Sequence, residues 1–205
     1  MNEMLRNSPI FFDKQPIQSE IRDAWRVALK YSREGKGPHL VDLSHKPKWD
    51  VQSSAIDAIQ PFGIEMPKAP GQCILANGIM ICRMNATQGL ILMLGQEQSD
   101  QPKTPEFTDI TEGQLLLALA GQNLFSITEK LTSMDLQDPQ KPSLYLFQGP
   151  FAHVPCQIVV MRKDTTNCLL LLSCSRGYAK DMVETVLAAG KEIGLRPAGE
   201  IAFNI

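Results

Sequence analysis

The chain has 205 residues, of which 43% are apolar, and its 20 basic residues are nearly balanced by 22 acidic ones. That apolar content is enough for one large domain or two small lobes, and the near-neutral charge without a basic cluster argues against a nucleic-acid partner. No apolar run approaches the roughly 20 residues that span a bilayer, and the first residues lack a secretory apolar core. We therefore expect a cytoplasmic protein with no membrane partner.

Residues 1–37 are predicted to form an irregular arm followed by a helix. Ser19 is a suitable N-cap, and the residues after it place an apolar face at three- and four-residue spacing on Ile21, Trp25, Ala28 and Leu29. The glycines and proline of residues 35–38 would end this helix.

Residues 38–95 are predicted to form a β-rich lobe. Short strands are expected at 40–43, 49–51 and 90–94, with a hairpin over 72–84. Residues 95–105 are rich in Gln, Ser, Asp and Pro, which predicts a linker or loop between two lobes.

The hairpin brings two of the five cysteines together. Asn77-Gly78 favours a two-residue type I′ turn, which puts Cys73 opposite Cys82 in a non-hydrogen-bonded pair. In a reducing compartment such thiols are usually small buried hydrophobes, and whether this pair is oxidised stays open. Without Cys-x-x-Cys spacing or a neighbouring histidine, no metal site is expected.

Residues 106–205 are predicted to form a ferredoxin-like βαββαβ lobe, so that the fold class is α+β with antiparallel sheets. Two of its strands are continuously apolar, which indicates burial on both faces. Gly194 is placed to end the last helix as its C′ residue. The expected order is strand 114–119, helix 122–133, strands 156–162 and 168–174, helix 178–193 and strand 198–203.

Asp42, Ser44 and His45 follow the first strand of the β-rich lobe and carry the groups of a catalytic triad. Alternation along a strand sends Asp42 and Ser44 to one side and His45 to the other, which disfavours a triad. We expect Asp42 or Ser44 to bond local backbone amides in a turn instead.

Arg176 and Tyr178 stand at the start of the last predicted helix, where a free N-terminus attracts anions. They are candidate ligand-binding residues for that reason. The alternative is that Ser175 caps the helix and Tyr178 packs at the interface between the lobes. No Gly-x-Gly-x-x-Gly or phosphate-binding lysine loop occurs, so nucleotide or flavin binding by this chain alone is not expected.

Several short motifs, taken together and in order, resemble the glycine-cleavage T-protein family of folate-dependent aminomethyl and methyl transferases. The resemblance covers roughly residues 38–203 and implies the T-protein-like folate-binding-domain fold. Its motifs are Asp42-Leu43-Ser44-His45, Pro70-Gly71-Gln72, Phe107-Thr108-Asp109-Ile110, the 114–121 strand, Lys130-Leu131-Thr132, Val154-Pro155-Cys156, Tyr178-Ala179 and the run from Gly190 to Glu200.

The same resemblance shows what the chain lacks. The acidic pair that follows the hairpin glycines in a catalytic T-protein is matched by Ile81 and Cys82, with Arg83 next. The loop whose glutamate holds the pterin is matched by residues 163–168, which contain no glutamate. The chain also stops about where the family's first large domain ends. It is therefore most similar to a reduced relative, such as the gamma subunit of heterotetrameric sarcosine oxidase.

Arg83, Asn85 and Gln88 are further candidate ligand-binding residues, because they lie in the segment where T-protein relatives bind a pterin and its tail. The Arg83 guanidinium could grip a carboxylate with two parallel bonds. The alternative is an arginine with its stem lying on apolar side chains.

Two functions follow as expectations. The first is a non-catalytic subunit, without catalytic residues or a tightly bound cofactor, whose partner is a larger oxidase or transferase subunit of amine and one-carbon metabolism, or a second copy. The second is a tetrahydrofolate-dependent aminomethyl or methyl transferase that uses other acids. The candidates for those acids are Asp42, Asp50 and Glu65.

Overall fold

The computed structural model describes residues 5–95, 104–164 and 166–204. Thirteen strands in this part of the chain form a two-stranded, a five-stranded and a six-stranded sheet. All strand pairs are antiparallel except β13 with β3. The expectation of an α+β fold with antiparallel sheets is confirmed at that level.

The N-terminal segment is a hairpin, so the helix predicted after Ser19 is wrong. β1 (Pro16–Arg22) pairs with β2 (Trp25–Tyr31) across a two-residue turn at Asp23 and Ala24, whose φ angles are 48° and 61°. Trp25, Val27 and Tyr31 are buried with the two-residue period of a strand, whereas Ile21 is 63% exposed. The turn sequence is Asp23-Ala24, which lacks the Asn-Gly or Asp-Gly signal of such turns. Alanine rarely takes a positive φ angle, so the sequence did not indicate a hairpin here.

The six-stranded sheet has the order β10-β11-β12-β9-β3-β13. This sheet contains the strands of the predicted βαββαβ lobe and two further strands. β3 is inserted between β9 and β13, and β10, which was not predicted, forms one edge. The strands are β3 (His39–Asp42), β9 (Gln114–Gly121), β10 (Tyr145–Phe151), β11 (Val154–Arg162), β12 (Cys168–Ser175) and β13 (Arg196–Ala198).

The helices of this half are shorter than predicted. α1 spans only Phe125–Thr128, and α2 spans Ala179–Ala189 before a separate 3-10 turn at Lys191–Ile193. Gly194 follows that turn in the left-handed region, with φ 78°, which agrees with its predicted role as a terminator. The strand expected at 198–203 ends at Ala198 and is followed by a 3-10 turn at Glu200–Ala202.

The five-stranded sheet has the order β5-β6-β7-β4-β8. The predicted hairpin is confirmed: Asn77 and Gly78 have φ 52° and 73°, and Cys73 pairs with Cys82. Most of the predicted 95–105 loop lies outside the described residues. The strands are β4 (Lys48–Gln52), β5 (Cys73–Ala76), β6 (Ile79–Arg83), β7 (Gln88–Met93) and β8 (Phe107–Asp109).

The two large sheets pack face to face. Side chains from β6 and β7 form one core with side chains from β9, β11 and β12, and the opposite face of the six-stranded sheet packs on α1 and α2. The continuous apolar runs of β11 and β12 are therefore buried on both faces, as predicted. β3 precedes the 95–105 loop but pairs in the six-stranded sheet, which is built mainly from residues after that loop. β8 follows the loop but pairs in the five-stranded sheet, which is built mainly from residues before it. These two strands therefore connect the two halves of the chain.

Candidate functional site

One of the predicted ligand-binding residues, Gln88, lines a cavity between the two large sheets, beside Asp50 and the apolar side chains of Met84, Leu90 and Ile110. Gln88 begins β7 and donates a hydrogen bond from Nε2 to Oδ1 of Asp50 on the neighbouring β4, at 2.7 Å. Asn85 donates from Nδ2 to Oε1 of Gln88 at 3.1 Å. The structure thus joins Asp50, one of the alternative acids named from sequence, to the predicted amides.

The opposite wall of this cavity comes from the six-stranded sheet and is also polar. It contributes Gln114 from β9, Gln157 from β11 and Ser173 from β12, of which Gln157 and Ser173 are direct cross-strand partners. The Oε1 atom of Gln114 is buried and has no hydrogen-bond partner among the described residues. A buried acceptor of this kind is costly unless a donor reaches it, so the cavity is suited to a small molecule with an N–H or O–H group.

The cavity holds only about 240 Å³. Sites for drug-sized ligands usually have about 300 to 1,000 Å³. The space between the sheets therefore fits a small polar molecule better than a complete folate.

Arg83 is buried, and two of its three guanidine nitrogens bond to the backbone of the neighbouring turn while the third bonds to Asp57. They donate to the carbonyl oxygens of Asn85 and Ala86 at 2.6 and 2.8 Å and to Oδ1 of Asp57 at 2.7 Å. The two bonds to carbonyl oxygens fix the turn that precedes Gln88 at the cavity wall. A direct bond from Arg83 to a ligand stays a prediction.

Arg176 and Tyr178 form a 3-10 turn before α2, and neither belongs to the described lining of the inter-sheet cavity. The Arg176 guanidinium donates to the carbonyl oxygens of Asn7 and Glu112 at 2.9 and 3.3 Å, which ties the N-terminal arm to the six-stranded sheet. The Tyr178 ring is 49% exposed, and the Ser175 side chain makes no capping bond. A ligand role for Arg176 and Tyr178 stays a prediction.

The turn after β3 has the structural role expected of it. The backbone N–H of Ser44 donates to Oδ1 of Asp42 at 2.9 Å, and the N–H of Leu116 donates to Oγ of Ser44 at 3.3 Å. Oδ2 of Asp42 accepts a bond from the Ser8 hydroxyl at 2.5 Å. Asp42 therefore bonds the local turn and the N-terminal arm, Ser44 bonds the backbone of β9, and His45 has a different partner.

That partner is Glu200, the centre of a charge cluster that the sequence reading did not identify. Its carboxylate lies 2.6 Å from Nζ of Lys46, 2.8 Å from Nη1 of Arg22 and 3.4 Å from Nε2 of His45. Burial would raise the pKa of Glu200, but the hydrogen bonds from His45, Arg22 and Lys46 outweigh burial and hold that pKa well below its usual range. Burial lowers the pKa of His45.

The cluster borders a second cavity, of about 350 Å³, between the N-terminal arm and the β1–β2 hairpin. Trp25, Asp42, His45 and Ala198 belong to its lining. Within the described residues, no group of three or more His, Cys, Asp or Glu side chains could hold a metal ion. No helix in the part of the chain that the structure describes is both long and apolar enough to cross a membrane.

No protein-family model and no curated protein sequence matches this chain significantly. Among solved structures, it is similar to a chain of the heterotetrameric sarcosine oxidase from Corynebacterium sp. U-96 in complex with pyrrole 2-carboxylate, with a TM-score of 0.59 and 13% sequence identity. The alignment covers 81% of this chain and 86% of that chain, so the two have similar lengths. At this identity, the similarity shows a shared fold.

Proposed function

We propose that the chain is a non-catalytic subunit of a larger oxidase complex, with a role similar to that of the sarcosine oxidase gamma subunit. The shared fold, over most of two chains of similar length, is the observation that carries this proposal. The T-protein-like fold, the cytoplasmic location and a partner from amine or one-carbon metabolism belong to the same proposal. Fold alone does not fix activity, so the support from individual residues matters.

The residues that match the missing acidic pair support a non-catalytic role. Ile81 and Cys82 both lie on β6 and have no exposed surface. Ile81 packs in the core on the outer face of the five-stranded sheet, and Cys82 packs between the sheets. Two buried apolar side chains neither transfer protons nor bind a polar pterin.

The N-terminal arm and β1 offer a surface for a partner subunit. Phe11, Ile17 and Ile21 are 82%, 64% and 63% exposed, although large apolar side chains favour burial. β1 pairs only with β2 among the described strands, so its other edge can accept a further strand or loop.

Affinity capture from the native host tests this proposal. The full-length chain should recover a larger flavin- or folate-dependent polypeptide, identified by mass spectrometry. The double variant Ile17→Lys, Ile21→Lys should lose that polypeptide, because two buried lysines would oppose an apolar interface. Glu184→Lys, a change on the exposed face of α2, should retain it. If the wild-type chain recovers only itself, the subunit proposal is wrong and self-association replaces it.

The polar side chains of the inter-sheet cavity, though not its volume, support a second candidate, a tetrahydrofolate-dependent aminomethyl or methyl transferase. Asp50 would act as the acid and Gln88 with Gln114 would bind the ligand's polar groups. Titration calorimetry with tetrahydrofolate tests it: Asp50→Asn should weaken binding, and Glu184→Gln, on the exposed face of α2, serves as the control. The absence of heat with wild-type protein at high micromolar ligand would exclude this candidate. The small volume of the cavity favours the subunit.

A further inference from the structure

The β5–β6 hairpin holds two free thiols at a short distance. Sγ of Cys73 lies 3.1 Å from Sγ of Cys82, and the two residues are cross-strand partners. The backbone N–H of Cys73 points away from β6, because it donates to the carbonyl oxygen of Leu144. The residues therefore form a non-hydrogen-bonded pair, in which Cα atoms are about 4.5 Å apart. A disulfide spans Cα separations from about 4.4 Å upwards, so this pair can be bridged without moving the strands.

The two thiols differ in their access to solvent. Cys73 is partly exposed on the edge strand β5 and lines an open cavity of about 310 Å³ together with Lys68 and Gln72. Cys82 is fully buried between the two large sheets. The hydrogen bond with Cys73 and burial raise the pKa of the Cys82 thiol, which keeps it protonated. Only Cys73 can meet an oxidant from solution, and Cys82 is placed to react next.

We propose that Cys73 and Cys82 are a dithiol–disulfide modification site oxidised by hydrogen peroxide. The Cys73 thiol gives its proton to solvent, and the thiolate attacks one oxygen of the peroxide. The O–O bond breaks, the departing hydroxide takes up a proton from solvent to give water, and Cys73 becomes a sulfenic acid. Cys82 then transfers its thiol proton to the sulfenic hydroxyl as its sulfur attacks the sulfenic sulfur; the S–O bond breaks, water leaves and the disulfide forms. The sum is two thiols and one peroxide giving one disulfide and two waters. An oxidase partner would be one source of peroxide, but the reaction itself needs only this chain and the peroxide.

A second pair of thiols in the same protein serves as an internal comparison. Cys156 on β11 and Cys174 on β12 also hydrogen-bond to each other, but they are only 2% and 1% exposed. Cys168 is likewise buried. If access decides the reaction, peroxide should oxidise the hairpin pair and leave these three thiols reduced.

The test is a thiol count on the purified, fully reduced chain after titration with hydrogen peroxide. Remaining thiols are alkylated in denaturant and counted by intact mass, and the bridge is located by peptide mapping without reductant. Wild-type protein should lose two of its five thiols, regain both with a phosphine reductant, and give a peptide linking Cys73 to Cys82.

Single substitutions assign the roles. Cys73→Ser should keep all its remaining thiols, while Cys174→Ser should still lose two. Cys73→Ala repeats the first test if the serine variant fails to fold. Three results would each overturn the proposal. The first is a bridge that maps to Cys156 and Cys174, and the second is a loss of thiols in Cys73→Ser equal to that in wild type. The third is no loss of thiols in wild type at peroxide levels that oxidise free cysteine in the same buffer. None of these readouts involves a partner, so the result is independent of the proposed subunit function.

Discussion

Nε2 of His45 lies 3.4 Å from Oε1 of Glu200, which joins the turn after β3 to the last described turn of the chain. The same carboxylate contacts Lys46 and Arg22, so it also connects the N-terminal hairpin to this point. Residues of two segments that belong to the sequence motifs, residues 42–45 and the run from Gly190 to Glu200, therefore meet at one buried ion cluster.

Replacing Glu200 with Gln should destabilise the protein by about 3 kcal/mol, because the buried charge of Lys46 loses its counter-ion. Urea denaturation at pH 7 measures the loss. Glu184→Gln is the matched control, since its ion pair with Lys180 is on the surface and should change nothing measurable. Equal effects of the two substitutions would show that the cluster does not stabilise the fold.

The Glu200 cluster should also make stability depend on acid pH. The folded-state pKa of Glu200 is held below its unfolded value of about 4.3, so its stabilisation is complete above about pH 5 and decreases as the pH falls. The difference in unfolding free energy between wild type and Glu200→Gln should therefore shrink from pH 5 to pH 3. A difference that stays constant over this range would contradict the shift.

Lys48 should make stability rise with pH in the alkaline range as well. Its side chain is fully buried, with Nζ donating to the carbonyl oxygens of Ser44 and Lys46 at 2.8 and 2.7 Å, and burial lowers the pKa of Lys48 to about 7. The unfolded state, with a pKa near 10.4, binds more protons than the folded state between these values, so stability contributed by Lys48 rises with pH.

The comparison with Lys48→Met isolates this effect from other titrating groups. Wild type should gain up to about 4 kcal/mol relative to the variant between pH 7 and pH 10. Denaturation curves at intervals across that range measure the gain. Parallel pH profiles for the two proteins would show that Lys48 has an ordinary pKa in the folded state.

Arg83→Met should cost about 2 to 3 kcal/mol and loosen the turn over residues 84–88, because the carbonyl oxygens of Asn85 and Ala86 lose a buried donor. Asp57→Asn removes only the charge of the exposed partner and should cost less than about 1 kcal/mol. Denaturation gives the energies, and limited proteolysis reports the turn. Similar losses in both variants would mean that the ion pair matters more than the turn.

The local part of this structure was predictable from the sequence. Asn77-Gly78 defines a turn by its backbone preference, and the turn sets the register of Cys73 with Cys82. The apolar runs of β11 and β12 indicate burial on both faces, which their packing confirms. Of the polar residues that line the inter-sheet cavity, Gln88 and Asp50 were named from the sequence, whereas Gln114, Gln157 and Ser173 belong to strands whose sequences indicate an apolar core.

The tertiary structure decided what depends on distant segments. Residues 16–31 carry both a helical and a strand periodicity, and the burial of Trp25 and Tyr31 selects the strand. The insertion of β3 between β9 and β13, and the convergence of Arg22, Lys46 and Glu200, join residues far apart along the chain. A sequence pattern reports which side chains share a face of one element, whereas contacts between elements depend on how the complete core packs.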